Sequence, residues 1–283
     1  MKIPISAVIL TYNEEKNIEK CLKSVFDWAE EIWVIDSYST DKTLEIAKRY
    51  TDKICQHKFE NHIEQWEWAL KNLPIKNEWI LGLDADHTVS EELKQELTEI
   101  FKSSVIDADG FYVKRKQFFL GRWIRFGGYY PKYLLKIFKK DKVIFDKNEL
   151  VDHHFYIKTK TRKLKGSITE DNINERDLSF WLQKHIRYAE LQAKEYINKA
   201  HNQSAIPPKF FGQPDARTLF IKNIYIKIPL FMRALFYFVY RYFFCFGFLD
   251  GREGLIFHFL QGFWYRFMID AFICQYKKTI NNL

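Results

Sequence analysis

The sequence predicts an α/β protein, a mostly parallel central sheet flanked by helices, with a helical, aromatic and basic C-terminal extension. Three observations predict it. Short branched apolar runs alternate with helix-period segments over the first hundred residues, which calls for parallel strands joined by right-handed crossovers. Each of the main runs ends in a polar cluster, and ligands of such sheets bind beyond the carboxyl ends of the strands. Past Arg217 the composition changes to aromatics punctuated by bases.

The elements follow in order. Residues 5–10 (ISAVIL) form the first strand and stop at Thr11-Tyr12-Asn13. Ile18, Leu22, Val25 and Phe26 then share one face of a helix. Residues 31–36 (EIWVID) form a second buried strand, stopped by the polar stretch 37–41 before a helix near 43–50. Residues 52–55 predict a third, short strand, and 63–73 a helix. Residues 79–83 (WILGL) predict a strand that ends at Asp84-Ala85-Asp86, and Ser90-Glu91-Glu92 caps the next helix. From Gly110, strands at 111–116 and 134–138 flank a Gly- and aromatic-rich loop, a mixed extension of the sheet. Residues 178–199 read as a long amphipathic helix. Pro207-Pro208 and Gly212-Gln213-Pro214 mark a linker, so the expected division is a catalytic domain over 1–204 and a helical extension over 205–283.

Composition narrows the function classes. With 283 residues, 47% hydrophobic and only 11 Gly and 7 Pro, the chain fills a core and is neither disordered nor collagenous. Nine Lys or Arg against three acids lie beyond residue 216, so most of the +8 net charge sits in the aromatic tail. That placement, and the lack of a nucleic-acid-binding motif, argue for a membrane surface and against nucleic acid. The four cysteines have no metal-site spacing and fit free thiols in a reducing cytosol. No signal peptide is expected, and no uncharged apolar run reaches the roughly 18 residues of a spanning helix.

Asp84 and Asp86 are the leading candidates for chemistry. Two carboxylates at i and i+2 after a buried strand suit Mg²⁺ or Mn²⁺, which takes few protein carboxylates and completes its shell with phosphate oxygens. Alone the pair equally describes a solvated turn; after WILGL and before a capped helix it favours a site. Asp36, ending the second strand, suits hydrogen bonds from a base or ribose, or caps its own turn. Tyr12 offers a ring for stacking, or packs beneath the first helix. Arg122, Arg125 and Lys132 in the aromatic loop could clamp a diphosphate or an anionic acceptor, or stay solvated.

ISAVILTYNEEKNIEKCLKSV, VIDSYSTDKT and EWILGLDAD, in this order, resemble family 2 glycosyltransferases of the GT-A fold, in particular bacterial enzymes of lipopolysaccharide cores, including β-1,4-glucosyltransferases, and of other surface glycans. The likeness continues through FFLGRWIRFGGYYPKYLLKIFKK and WLQKHIRYAELQAKEY. It implies that Thr11, Tyr12 and Glu14 line a nucleotide pocket, that Asp36 reads the base, that Asp84 lies by the ribose and diphosphate, and that Asp86 binds the metal. It also implies inversion, with one carboxylate as general base. The candidates are Asp171 and Glu170, an acidic pair ahead of a long helix, then Asp152 in Val151-Asp152-His153-His154. The sequence departs from the family pattern at His153 and His87, where Glu is expected, and at Gln65-Trp66-Glu67-Trp68.

The expected function is therefore transfer of a hexose from a nucleotide diphosphate sugar, UDP-linked, to a glycan or lipid-linked acceptor in surface-glycan synthesis. The expected location is the cytoplasmic side, peripheral on the inner face of the membrane through the aromatic tail. A polyprenyl-phosphate sugar synthase and a non-catalytic sugar-nucleotide scaffold are the alternatives.

Overall fold

The computed structural model describes residues 2–103, 105–151, 154–199 and 204–281. The candidate base Asp152 lies outside the described residues, as does His153. The chain forms two compact bodies: Met1–Lys116 with Lys132–Phe145 and His154–Ile173, and Gln117–Pro131 with Asp146–His153 and Asn174–Leu283. The division expected after residue 204 runs inside the second.

In the first body the strands are β1 (Ile3–Thr11), β2 (Ala29–Asp36), β3 (Ile54–Gln56), β4 (Trp79–Asp84), β5 (His87–Val89), β6 (Gly110–Phe119, whose last three residues belong to the second body), β8 (Lys132–Lys139) and β9 (Thr161–Glu170). The helices between them are α1 (Ile18–Val25), α2 (Thr43–Ala47), α3 (His62–Asn72) and α4 (Glu91–Lys102). The sheet order is β3-β2-β1-β4-β8-β6-β9-β5. The β3, β2, β1 and β4 strands run parallel, and β8 joins β4 antiparallel, so the predicted parallel half and mixed extension are both present. This is the GT-A arrangement that the motifs imply.

Strand periodicity explains the two layers. In β1, Ile5, Ala7 and Ile9 face one apolar cluster, with α1 residues Ile18 and Leu22 and α4 residues Leu93 and Leu97. Val8 and Leu10 face the other, with Trp66, Ala69 and Leu70 of α3. Gly82 in β4 is glycine because a Cβ there would lie 2.8 Å from the Phe155 ring, which packs under the sheet against Trp66. As expected, Ser90 caps α4, its hydroxyl accepting from the Leu93 amide at 3.2 Å.

The sequence reading missed three strands: β5, β7 (Arg122–Ile124) and β9. It also placed β3 two residues early and ran the helix after β2 to residue 50, where α2 ends at Ala47.

In the second body β7 pairs antiparallel with the end of β6. The helices are α5 (Leu178–Lys199), α6 (Pro214–Lys227), α7 (Met232–Val239), α8 (Gly251–Phe257) and α9 (Tyr265–Asn281). Pro214 opens α6, the position where its missing N–H costs nothing. Wider π turns, Tyr240–Phe244 and His258–Trp264, continue α7 and α8. Ala189 and Ala193 of α5 pack against Tyr265, Ile269 and Ile273 of α9. Asp250 accepts the Arg125 and Phe126 amides at 3.0 and 2.9 Å. His258 Nε2 lies 3.6 Å from the same carboxylate, and Gly127, at φ +65°, lies against its ring, where a Cβ would fall 2.0 Å from an imidazole carbon.

Candidate active site

The site of the first body lies at the carboxyl ends of β1, β2 and β4. The β1 and β2 loops are stitched together. The amides of Asn13, Glu14 and Glu15 donate to Ser39 Oγ, Thr43 Oγ1 and Asp41 Oδ2 at 2.9, 2.8 and 3.0 Å. Asn13 takes the left-handed conformation at φ 54°, and its side chain accepts from the Thr40 amide at 2.8 Å. Thr11 is buried, and its Oγ1 has no hydrogen-bond partner among the described residues. Tyr12 is 58% exposed.

Asp36 is fully buried. Its carboxylate accepts the Ser39 amide at 2.9 Å, the Ser39 hydroxyl, and the Gln56 side-chain amide at 2.9 Å. In this arrangement it holds its own loop, as the turn-capping alternative describes.

Beyond β4 the chain turns through Asp84-Ala85-Asp86 into β5, which lies antiparallel to β9 with His87 opposite Glu170. That pairing carries Glu170-Asp171 to the aspartate turn, and the Asp171 amide donates to the Asp86 carbonyl at 3.3 Å. Asp86, Asp171, Asn17, Lys20, Thr88 and Thr169 line one recess. A chain of amides braces it: Asn17 Nδ2 donates to Glu14 and to Asn172 Oδ1, the latter at 3.0 Å, and Asn172 Nδ2 donates to Asp86 Oδ2 at 3.2 Å.

Charge is distributed unevenly among the acids. Asp84 Oδ2 faces Lys136 Nζ at 3.3 Å and His87 Nδ1 at 3.4 Å. The Asp84 amide donates to His87 Nδ1 at 3.0 Å, which leaves the ring proton on Nε2, 3.6 Å from Glu170 and 3.9 Å from Asp86. Glu170 is also held by Arg115 at 3.1 Å. Beneath the turn, burial and then the Asp86 and Asp84 carboxylates push the Cys21 thiol well up, so it stays protonated and donates to the Asp84 carbonyl at 3.6 Å.

Of the candidates, the first body brings Glu14, Asp84, Asp86, Glu170 and Asp171 into this network. Arg122 and Arg125 belong to the second body, Arg122 3.7 Å from Glu253 and Arg125 over the Trp123 ring at 5.4 Å. The sequence reading missed Asn17, Asn172, Arg115 and Lys136. Lys136 had a signal, a lone cation inside the apolar run YLLKIF. The asparagines had none.

Among the described residues no group of three His, Cys, Asp or Glu side chains is placed to hold a metal ion by itself. Asp84 and Asp86 still supply two carboxylates, as many as Mg²⁺ or Mn²⁺ takes when substrate phosphates complete its shell. The donor set fits a metal of that kind and no all-protein cage.

The glycosyl transferase family 2 pattern matches residues 6–160. The chain belongs to this family. A glycosyltransferase of Rickettsia bellii is 41% identical over 99 residues, 35% of this chain and 33% of its own. The lipopolysaccharide core biosynthesis glycosyltransferase LpsC of Rhizobium meliloti is 25% identical over 272 residues, 92% of this chain and 90% of its own. The chain thus spans about a third of the length of the first relative but most of LpsC. The structure of S. aureus TarS 1-349 in complex with UDP gives a TM-score of 0.46 at 16% identity, over 99% of this chain and 92% of that one.

Proposed function

We propose that the chain is an inverting glycosyltransferase that moves a hexose from a UDP-linked donor to a glycan or lipid-linked acceptor in surface-polysaccharide or lipopolysaccharide synthesis. One observation carries the reading: Asp86 and Asp171, from the ends of β4 and β9, line the same recess beside Asn17 and Lys20. The LpsC likeness, which runs through nearly the whole chain, supports the acceptor class.

Asp171 takes the proton of the acceptor hydroxyl as its oxygen forms a bond to the anomeric carbon. The bond from that carbon to the diphosphate oxygen breaks, and its electron pair leaves with the diphosphate. No covalent sugar–enzyme intermediate forms. Lys136 and Lys20 offset the negative charge around the leaving group. Asp86, with Asp84, would hold Mg²⁺ or Mn²⁺, whose chemistry is to neutralise the diphosphate. Thr11, Tyr12, Glu14 and Asp36 are assigned to the nucleotide. The Thr11 hydroxyl, buried and without a hydrogen-bond partner among the described residues, is a group that a ligand can satisfy. Arg122 and Arg125 are assigned to anionic groups of donor or acceptor, residues 1–204 to the catalytic domain and 205–283 to its extension.

The extension is assigned to the inner membrane face. Phe231, Phe236, Phe243, Phe244 and Leu255 are exposed there among basic residues, while no described helix is long and apolar enough to cross a membrane. The decisive assay is transfer from UDP-hexoses with Mn²⁺ or Mg²⁺. Asp86→Ala is expected to abolish turnover, and undiminished turnover would remove the metal assignment. UDP-sugar binding without transfer to any surface-glycan acceptor would favour a scaffold.

A further inference from the structure

The second body carries charge inside. Arg233, Asp270, Asp250 and His258 are buried, while Tyr240, Phe243, Phe244 and Phe267 are exposed. Along its partly buried side chains runs an alternation of cations and tyrosines. The Arg241 guanidinium carbon lies 4.2 Å from the Tyr129 ring centroid and 5.2 Å from that of Tyr237. That of Arg266 lies 4.5 Å from Tyr237 and 5.4 Å from Tyr225. Arg233 follows, 5.3 Å from Tyr225 and 5.5 Å from Tyr196, and Lys222 5.2 Å from Tyr196.

The cations differ in one respect. Arg233 donates from Nε to Asp270 at 2.8 Å, and Lys222 donates to Glu195 at 3.0 Å. Arg241 and Arg266 have no carboxylate partner among the described residues, and the Nε of each is buried without an acceptor. Tyrosine faces attract a cation but do not discharge it. Two half-buried guanidinium groups at one ring, with no carboxylate partner among the described residues, are a cost to the fold unless an anion completes them. Gly128, at φ +70°, brings bare backbone against Arg241: a Cβ there would sit 3.6 Å from the guanidinium carbon.

We propose that Arg241 and Arg266, converging on Tyr237, form a binding site for a phosphate or diphosphate group. The planar guanidinium fork matches phosphate oxygens two at a time. Two sources carry this chemistry: the phosphate of a membrane lipid, and a free phosphate ester. The same turns expose Tyr240, Phe243, Phe244 and Phe267, which sets a lipid-borne phosphate within easy reach. Anion binding here needs no sugar transfer, so the site can fail while the enzymatic reading stands, and the reverse.

The test uses the full chain in two arms. One measures calorimetric binding of inorganic pyrophosphate and the accompanying rise in melting temperature. The other measures co-sedimentation with phosphatidylcholine vesicles, with and without phosphatidic acid. Wild type is expected to bind in at least one arm. Arg241→Gln with Arg266→Gln is expected to weaken that binding at least about tenfold. Arg252→Gln, an exposed base outside the alternation, is expected to leave it unchanged. Binding in the vesicle arm alone identifies a lipid phosphate, and in the pyrophosphate arm a free ester. Wild type that binds in neither arm overturns the site without recourse to any variant. So does a folded double variant, with wild-type circular dichroism, that binds as tightly as the parent.

Discussion

At the residue scale, the two acids that end β9 have neighbours that divide their work. Glu170 is engaged by Arg115 at 3.1 Å and faces the His87 ring at 3.6 Å, an arrangement that fixes its carboxylate. Asp171 lines the recess with Asp86. A general base must reach the proton that it abstracts, so the recess side is the productive one. Asp171→Asn is therefore expected to lower kcat by about 10²- to 10⁴-fold with donor binding retained. Glu170→Gln is expected to lower it less, because an amide still accepts from Arg115. Equal losses in steady-state assays of the two variants would move the base to Glu170 or elsewhere. The sequence named both acids but not this division, since Arg115 and His87 meet Glu170 only across paired strands. The amides of Asn17 and Asn172 were illegible for the same reason: they lie 155 positions apart.

At the element scale, the legible strands were those buried on both faces. In β1 and β4 almost every residue is apolar, and a continuous apolar run announces itself. In β9, Arg162, Lys163 and Lys165 leave only Leu164, Gly166 and Ile168 to mark a buried face, too sparse a pattern to separate from a loop. Yet β9 brings Asp171 to the aspartate turn, so its seat on α4 matters to the site. Gly166 is the contact point. A Cβ there would lie 2.4 Å from the Leu93 Cα and 2.6 Å from its amide nitrogen, and a helix backbone cannot give way as a side chain can. Gly166→Ala is expected to destabilise the chain by about 1–3 kcal/mol, the usual cost of overpacking. It is also expected to lower activity by shifting Glu170 and Asp171. A urea melt with an unchanged midpoint would show that α4 and β9 are not locked in this way. The β7 strand escaped notice because three residues carry no periodicity.

At the scale of the whole molecule, both bodies are secured by buried carboxylates whose titration sets how the chain responds to acid. In the first, burial opposes ionisation of Glu31, but Lys53, the Ser6 hydroxyl and the Lys76 amide outweigh it and hold the carboxyl below its ordinary range. In the second, burial of Asp250 is likewise outweighed by His258 and the amides of Arg125 and Phe126. A carboxylate lowered on folding contributes stability that is complete above its unfolded value, about 4.3 for Glu and 3.9 for Asp, and that is lost as pH falls through the folded value. Stability is thus expected to hold from neutral pH to about 4.5 and to fall below it. Exposed pairs such as Arg49 with Glu45 add little to this slope, because solvent screens them. Glu31→Gln is expected to cost about 1.5–3 kcal/mol at pH 7, the worth of hydrogen bonds to a charged group, and less at pH 3, below the unfolded value, where protonation of the unfolded chain has already removed part of that contribution. Denaturant melts of parent and variant at the two pH values check the sign. A variant deficit as large at pH 3 as at pH 7 would mean that Glu31 acts through packing and not through its charge.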